Sequence, residues 1–206
     1  MTSNRSLVAL ALLAMVWLAM LLTGGSESVF DPAILGLLYA GDRPGPAMVA
    51  IWITQLGGWI GLGIVTVAAA AFLLVRRRYR DTALLLFITL SGRLVVELQK
   101  SWSARARPQD EHLVTVHSLS FPSGHSANSM IVYLTIALLL LPGRAPVVAA
   151  LGLSMIIGLT RLLLGVHWPS DVVGGWAFGL AWTFGLVRLT GISEERRVVG
   201  LDSGRD

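Results

Sequence analysis

The sequence contains no cysteine and few charged residues. Because none of the 206 residues is Cys, a disulfide framework, a thiolate nucleophile and a cysteine-based metal site are all excluded. Charged side chains make up 14% of the chain, whereas soluble domains carry about 25%. Asp, Glu, Lys and Arg are entirely missing from five segments, which are 6–26, 44–75, 112–143, 145–160 and 172–187. A core of this size cannot hide so much uncharged chain, so an ordinary water-soluble fold is excluded.

Apolar residues dominate what is present. They make up 54% of the chain and lie in continuous runs, unlike the alternating pattern of a transmembrane barrel. A helix needs about 20 such residues to cross the hydrocarbon core of a bilayer. The sequence therefore predicts an all-α fold, a six-span transmembrane helical bundle that forms a single domain over residues 1–206. The predicted spans are about 6–24, 50–75, 82–100, 124–141, 146–165 and 170–188.

Two further elements are predicted in the N-terminal quarter of the chain. Residues 6–24 follow a basic residue, as a signal peptide would, but the run is long and no A-x-A cleavage site follows it. An uncleaved span is therefore favoured. Within residues 27–43, a short interfacial helix is expected, with Asp31 as its N-cap and Pro32 at its first helical position.

The basic residues indicate the orientation of the bundle. Fifteen of the 16 are arginine, and many of these lie at 76–80, at Arg144 and from Arg188 into the polar tail. With six spans these positions share one side, which the positive-inside rule makes cytoplasmic. The sequence thus predicts a multi-pass plasma-membrane (inner-membrane) protein with cytoplasmic termini and no nucleic-acid partner. The segments 101–123 and 166–169 then face the exterior or periplasm.

The chemically unusual residues lie in those two outward segments and in the adjoining span ends. Ser123-Gly124 precedes the fourth span, where free backbone N–H groups at a helix start can bind an anion. His167 lies four residues before Asp171, whose carboxylate can orient the imidazole and raise its basicity. A second imidazole, His125, can protonate a leaving oxygen. Nearby cations repel each other unless an anion joins them, and arginine matches phosphate oxygens in pairs. This set suits metal-free phosphoryl transfer through a phosphohistidine.

Three ordered motifs carry a family resemblance. They are Lys100-x6-Arg107-Pro108, Pro122-Ser123-Gly124-His125 and Arg161-x5-His167-x3-Asp171. In this order and spacing they resemble the motifs of the type 2 phosphatidic acid phosphatase superfamily. The resemblance is tight over residues 100–171, and the six predicted spans extend it over most of the chain. One position departs from the family pattern, since Thr160 stands where the family usually has Ser, and a tuning of the site at most is expected.

The resemblance implies a role for each matching residue. His167 would be the nucleophile, Asp171 would orient its ring, and His125 would be the general acid for the departing lipid oxygen. The phosphate oxygens would be bound by Lys100, Arg107, Ser123, Gly124 and Arg161. No metal and no cofactor are implied. The expected partners are membrane lipids and a lipid phosphate substrate, with the oligomeric state left open.

The implied function is a lipid phosphatase, and three classes of substrate fit the bacterial branch of the family. These are undecaprenyl diphosphate, phosphatidylglycerol phosphate and phosphatidic acid. Two other functions stay open at this point. One is a phosphotransferase that passes the phosphate of the same phosphohistidine to another acceptor, and the other is a non-catalytic lipid-phosphate binder or flippase. Intact imidazoles and the carboxylate disfavour the binder, because binding alone needs no nucleophile.

Several polar residues near the motifs have more than one interpretation. Arg93 and Glu97 lie four residues apart on the third span and either neutralise each other or serve the site, with Glu97 positioning the nearby motif lysine. Arg105 is a further cation with no role in the motifs. His112 and His117 have no motif partners and are interpreted as solvated loop residues.

The last span carries a pattern of small residues. Gly175 and Gly179 lie one helical turn apart, which is typical of closely packed helices. Packing within the chain is favoured over packing between two copies.

Overall fold

The described residues, 2–109 and 111–190 in this computed structural model, form eight α-helices and one short 3₁₀ turn, with no β-strand among them. The helices are α1 (Thr2–Thr23), α2 (Phe30–Leu38), α3 (Pro44–Thr54), α4 (Trp59–Val75), α5 (Tyr79–Ser103), α6 (Gly124–Leu140), α7 (Ala145–Leu163) and α8 (Pro169–Leu189), and the 3₁₀ turn is Gln55–Gly57. The polar tail, which begins at about Ser193, lies outside the described residues.

Local sequence explains where the helices of the second half begin and end. The hydroxyl of Ser123 caps α6 by accepting the N–H of Ser126. A turn separates α6 from α7, and its Gly143 has a φ of +87°, a conformation that a residue without a Cβ adopts without strain. Prolines in the first turns of α7 and α8 suit positions where an N–H has no helical partner. Local sequence signals therefore explain where α6, α7 and α8 begin.

Helix α6 lies at the centre of the bundle, packed against α5, α7 and α8, and α8 also packs against α1. The contact between α6 and α8 depends on two glycines. A Cβ at Gly175 would lie 2.8 Å from the carbonyl oxygen of Ser123, and one at Gly179 would lie 2.8 Å from that of Ala127. The two backbones approach each other closely here, so the predicted packing of these glycines within the chain is confirmed.

Apolar side chains cover the outside of the bundle as well as its core. A buried cluster that includes Leu85, Ile88 and Ile131 fills the interior between α5 and α6. At the same time, large apolar residues such as Val67 and Leu94 are more than 60% exposed. A continuous apolar exterior of this kind suits contact with lipid rather than water.

By length and hydropathy, three helices among the described residues can cross a membrane, namely the 4–23 part of α1, α7 and α8. The number rises to four if α3 and α4, which are bent by 44° at their junction, count as one broken span. This count leaves out α5, which carries five charged residues, and α6, a shorter apolar helix of 17 residues. The number six therefore stays a prediction.

One predicted span is broken and one local expectation was wrong. The span expected over about 50–75 is divided by the 3₁₀ turn, where a Cβ on Gly57 would lie 2.4 Å from Ile157 and 3.1 Å from His125. Asp31 does not cap α2, which already begins at Phe30. Its carboxylate instead accepts the backbone N–H groups of Gly25 and Ser170, so it ties the start of α2 to the start of α8.

The two ends of the bundle differ in their polar residues. At one end Arg78 forms an ion pair with Asp81 and donates to the carbonyl of Leu139 at 2.6 Å. The segments 104–109, 111–123 and 164–168 come together at the opposite end. The arginines that indicate topology and the residues that carry chemistry are thus separated by the length of the bundle.

Candidate active site

A cavity of about 210 Å³ lies at the end of the bundle where α5 ends and α6 begins. Six of the eight residues expected in the site line it, namely Lys100, Arg107, Gly124, His125, Arg161 and His167. The remaining wall is formed by Gly57, Trp59, Leu62, Arg93, Glu97, Val116, His117, Ser118 and Asn128. Gly57 and His167, which lie 110 positions apart in the chain, therefore line the same cavity.

The imidazole of His167 is buried against Asp171 on one side and faces the cavity cations on the other. Its Nδ1 lies 3.4 Å from Oδ2 of Asp171, and its Nε2 lies 3.1 Å from Nη1 of Arg107. Because a guanidinium can only donate, Nε2 must be the accepting nitrogen, so the ring proton belongs on Nδ1. In this tautomer the lone pair of Nε2 faces the cavity, where it accepts the N–H of Arg107.

Burial sets the protonation of His167 and Arg107, two site residues in the connecting loops. Burial is the main cause that holds the pKa of His167 well below 6.5, and the nearby charges of Arg107, Lys100 and Arg161 lower this pKa further. Burial also lowers the pKa of the Arg107 guanidinium, while the charge of Asp171 raises it. His167 is therefore uncharged, as a nucleophile must be, at neutral pH.

The carboxylate of Asp171 is fully buried and accepts hydrogen bonds on both oxygens. Oδ2 accepts the hydroxyl of Ser120 and, at 2.9 Å, the backbone N–H of Trp168. Oδ1 accepts Nη1 of Arg105 at 2.8 Å. Asp171 thus caps the start of α8 and faces the His167 ring at the same time, as the sequence allowed.

Arg105 supports this carboxylate from outside the cavity. Besides Asp171, its guanidinium donates to Ser170 Oγ at 3.0 Å and to the carbonyls of Met20 and Leu21 at 2.9 and 2.6 Å. It also lies 4.5 Å from the centre of the Phe121 ring. Arg105 therefore joins the end of α1 to the start of α8 and holds one oxygen of Asp171 in place.

Backbone carbonyls of the loop before α6 hold the first two cations. The Lys100 ammonium donates to the carbonyl of Leu119 at 2.7 Å. Arg107 donates to the carbonyl and hydroxyl of Ser118, at 2.6 and 3.1 Å, and to the carbonyl of Val166. These neutral partners fix the two side chains without cancelling their charges, so both cations remain available to an anion.

The third cation, Arg161, is 3% exposed and is held on one side only. Its Nη1 donates to the hydroxyl of Thr54 at 2.7 Å, whereas its buried Nε has no partner among the described residues. A buried guanidinium N–H without a partner is costly. A phosphate oxygen in the cavity would satisfy it.

The start of α6 supplies backbone and imidazole to the same chamber. Gly124 and His125 line it, and His125 packs beside the 3₁₀ turn, where Gly57 leaves room for its ring. Ser123 differs from the expectation, because it is fully buried, its hydroxyl caps α6, and it is not part of the cavity wall. At this helix start, the cavity meets Gly124 and the imidazole of His125.

Comparison with known proteins identifies the family of the chain. Residues 81–194 match the PAP2 superfamily. The chain belongs to the PAP2 superfamily. It is 32% identical to phosphatidylglycerophosphatase B of Bacillus subtilis over 185 residues, which are 86% of this chain and 91% of the relative. It is also 36% identical to lipid A 1-phosphatase of Rhizobium johnstonii over 110 residues, which are 48% of this chain and 43% of that protein.

A solved structure supports the same assignment. The crystal structure of a transmembrane PAP2 type phosphatidylglycerolphosphate phosphatase from Bacillus subtilis superposes with a TM-score of 0.81 at 31% identity, covering 90% of this chain and 96% of that one. The predicted family, the all-helical membrane fold and the assignment to the phosphatase class of enzymes are therefore confirmed.

Several polar residues at this site have contacts other than those expected, and two of them were not predicted at all. His117, set aside as a solvated loop residue, is exposed but lines the cavity. Thr160 directs its hydroxyl to the carbonyl of Ile157 within α7. Ser120 and Thr54 were not predicted, because a lone Ser or Thr carries no signal until folding places it beside a charged partner. No group of three His, Asp or Glu residues in the described part of the chain is arranged to hold a metal ion.

Proposed function

We propose that this chain hydrolyses the terminal phosphate of a membrane lipid through a covalent phosphohistidine on His167, without a metal ion. One observation carries the proposal. The Nε2 lone pair of His167, the imidazole of His125 and the cations Lys100, Arg107 and Arg161 all face one cavity, in which Arg107 donates to that Nε2. The candidate substrates are phosphatidylglycerol phosphate, phosphatidic acid and an isoprenoid diphosphate such as undecaprenyl diphosphate.

In the first step, the lone pair of His167 Nε2 attacks phosphorus and the bond from phosphorus to the lipid oxygen breaks. His125 gives a proton to that oxygen, so the lipid leaves with a free hydroxyl or as a lipid monophosphate. Asp171 accepts the hydrogen bond of Nδ1–H and stabilises the positive charge that the ring gains. The burial that keeps His167 uncharged before the attack makes this carboxylate necessary during it.

The cations and the start of α6 bind the three equatorial oxygens of the transferring group. Arg161 offers its unpartnered Nε, Lys100 and Arg107 offer charges held by neutral carbonyls, and the N–H of Gly124 lies at a helix start. Such donors are already in place when the charge develops, so little reorganisation is needed. Ser123 Oγ is a weaker candidate, because its hydroxyl already caps α6.

In the second step, a water molecule attacks the phosphohistidine and the bond from phosphorus to Nε2 breaks. His125, which lost its proton in the first step, takes one from the water, and inorganic phosphate leaves. Both imidazoles then return to their starting states. Transfer to another acceptor would use the same intermediate, with an alcohol in place of the water.

Phosphate release by purified protein in detergent micelles with excess EDTA tests this function. We expect turnover of at least one of the three lipids, inhibition by vanadate, and a ³²P-labelled enzyme that is stable to alkali and labile to acid. His167→Ala should lose both turnover and labelling. His112→Ala is the matched control, because His112 bonds to the carbonyl of Pro108 and lies outside the cavity wall.

Other results would point to other functions. Full activity in a folded His167→Ala variant would refute the phosphohistidine. Label that passes to an added lipid or sugar acceptor instead of water would identify a transferase. Binding without turnover across all three lipids would identify a binder.

We further propose that the chain lies in the plasma (inner) membrane with the site facing the exterior and the termini facing the cytoplasm. Support comes from Arg78 and Arg144 at the end of the bundle opposite the cavity. Because the chain has no cysteine, single cysteines report sidedness directly. In intact cells an impermeant maleimide should label Thr115→Cys and spare Arg144→Cys. The reverse pattern would invert the topology.

A further inference from the structure

The active-site cavity continues past the catalytic residues along helix α5. Arg93 and Glu97 line it together with Lys100. The three residues are spaced i, i+4 and i+7, so they share one face of the helix. At 1.5 Å per residue, Arg93 lies about 10 Å along the axis from Lys100, with Glu97 between them. One wall of the cavity therefore presents a cation, a carboxylate and a second cation in that order.

The carboxylate of Glu97 interacts with the nearby charge of Lys100, but the fold does not hold either side chain of this pair in place. Within the part of the chain that the structure describes, the side chains of Arg93 and Glu97 form no hydrogen bond or ion pair, not even with each other. Both side chains are exposed, and both line the cavity. Ionisable groups inside a membrane-embedded helix are costly and usually serve a site or pathway. The interpretation as a mutually neutralised pair is therefore not supported.

The order of charges matches the chemistry of one kind of headgroup. A phosphomonoester at Lys100 would leave the next atoms of the substrate opposite Glu97, whose carboxylate can only accept hydrogen bonds. A hydroxyl on the linker satisfies it. An anionic phosphodiester beyond the linker would reach Arg93, whose guanidinium suits phosphate oxygens. Asn128, which faces the cavity from α6, adds an amide that can both donate and accept.

The same order disfavours the other two candidate lipids. A diphosphate places its second phosphate directly beside the first, where Glu97 repels it and no hydroxyl is present. In phosphatidic acid an apolar diacylglycerol would lie against the Glu97 carboxylate and the Arg93 guanidinium, which both need polar partners. Only a headgroup with a hydroxylated linker between two phosphates satisfies all three side chains of α5.

We propose that Arg93 and Glu97 form a specificity subsite that selects lipids whose terminal phosphomonoester is joined through a hydroxylated linker to a phosphodiester, as in phosphatidylglycerol phosphate. Arg93 binds the phosphodiester and Glu97 accepts the hydrogen bond of the linker hydroxyl. The inference rests on the proposed phosphatase function and adds to it the class of substrate. Neither residue touches the reacting phosphorus, so both act on selection rather than on the chemical step.

The test compares kcat/KM for phosphatidylglycerol phosphate, its analogue without the linker hydroxyl, phosphatidic acid and undecaprenyl diphosphate, all in mixed micelles with EDTA. In Arg93→Gln the ratio of phosphatidylglycerol phosphate to phosphatidic acid should fall at least tenfold, and Arg93→Lys should restore most of it. In Glu97→Gln the preference for the hydroxylated lipid over its analogue should fall about tenfold. Arg80→Gln is the matched control, because it removes an exposed arginine at the far end of the same helix.

The outcomes separate this inference from the proposed function. Turnover by wild type with unchanged substrate ratios in Arg93→Gln and Glu97→Gln overturns the subsite and leaves the phosphatase intact. An equal change in Arg80→Gln also overturns it. No phosphate release from any of the lipids by folded wild type overturns both. If Arg93→Gln fails to fold, Glu97→Gln, which keeps the size of the side chain, decides the question.

Discussion

Replacing Arg105 by glutamine tests whether the ion pair between Arg105 and Asp171 sustains catalysis. The guanidinium of Arg105 is 10% exposed and lies 2.8 Å from an oxygen of the fully buried carboxylate. A hydrogen bond between charged groups in such a place is worth about 1.5–3 kcal/mol. Since each 1.36 kcal/mol corresponds to a factor of about ten in rate, we expect kcat to fall about 10- to 100-fold. KM should change little, because Arg105 is not part of the cavity wall.

The assay must separate this positioning role from a loss of structure. Arg105 also bonds to the carbonyls of Met20 and Leu21 at the end of α1, so its removal will lower thermal stability as well. Arg43→Gln is the matched control, since Arg43 likewise donates to two backbone carbonyls but touches no carboxylate. Arg105→Lys keeps the charge and should recover part of kcat.

Steady-state phosphate release and the amount of alkali-stable phosphoenzyme are the measurements. Weakening of Asp171 should slow formation of the phosphoenzyme, whereas a general loss of fold would reduce the fraction of active enzyme at constant KM and constant rate per active site. Titration with vanadate counts the active sites. A folded Arg105→Gln enzyme with kcat within twofold of wild type would refute the reasoning.

Three further predictions follow from single contacts. Because burial and nearby cations hold the pKa of His167 well below 6.5, its protonation should not limit kcat/KM near pH 6.5, and Arg107→Gln, by removing one of those cations, should move the acid limb of the pH profile to higher pH. Thr54→Val removes the oxygen that Arg161 Nη1 contacts at 2.7 Å, so KM for the lipid phosphate should rise about tenfold at an interaction worth about 1.5 kcal/mol. In Gly158→Val the new Cβ would lie 2.5 Å from an indole ring of α8, so thermal unfolding in detergent should show a loss of about 1–3 kcal/mol.

Each of these predictions has a result that would contradict it. An acid limb near pH 6.5 that stays in place in Arg107→Gln would mean that His167 is not the group controlled by the nearby cations. An unchanged KM in Thr54→Val would mean that Arg161 is positioned without the hydroxyl. A Gly158→Val protein as stable as wild type would mean that α7 and α8 can move apart at no cost.

The ordered motifs predicted most of the site because their spacing is set by local structure. Lys100, Arg107, His125, Arg161 and His167 lie at or near helix ends on the same side of the bundle, and they converge once the helices pack side by side. Helix ends can be recognised from short-range signals such as Ser123-Gly124 and Pro169. The sequence alone could therefore predict that these residues lie close together.

The hydrogen-bond partners of the charged residues could not be predicted from the sequence. Arg105 donates to backbone carbonyls that lie 84 and 85 positions earlier in the chain, and no local sequence pattern predicts such a contact. The break between α3 and α4 was also missed, because residues 44–75 are apolar on both sides of it. It becomes intelligible only when Gly57 is seen against the ring of His125.

The sequence by itself determined that the chain is a helical membrane protein with the parts of a phosphatase, because scarcity of charge and motif spacing are properties of short stretches of chain. Only the tertiary structure decided what each charged group does. A buried charge needs a partner. Packing of the helices and loops places Asp171 beside Arg105 and loop carbonyls beside Lys100 and Arg107. It gave Arg161 only a partial set of partners, and it left Arg93 and Glu97 facing the cavity. Among the described residues, the charges proposed to bind the substrate are those that packing brings to the cavity without an opposite charge to neutralise them.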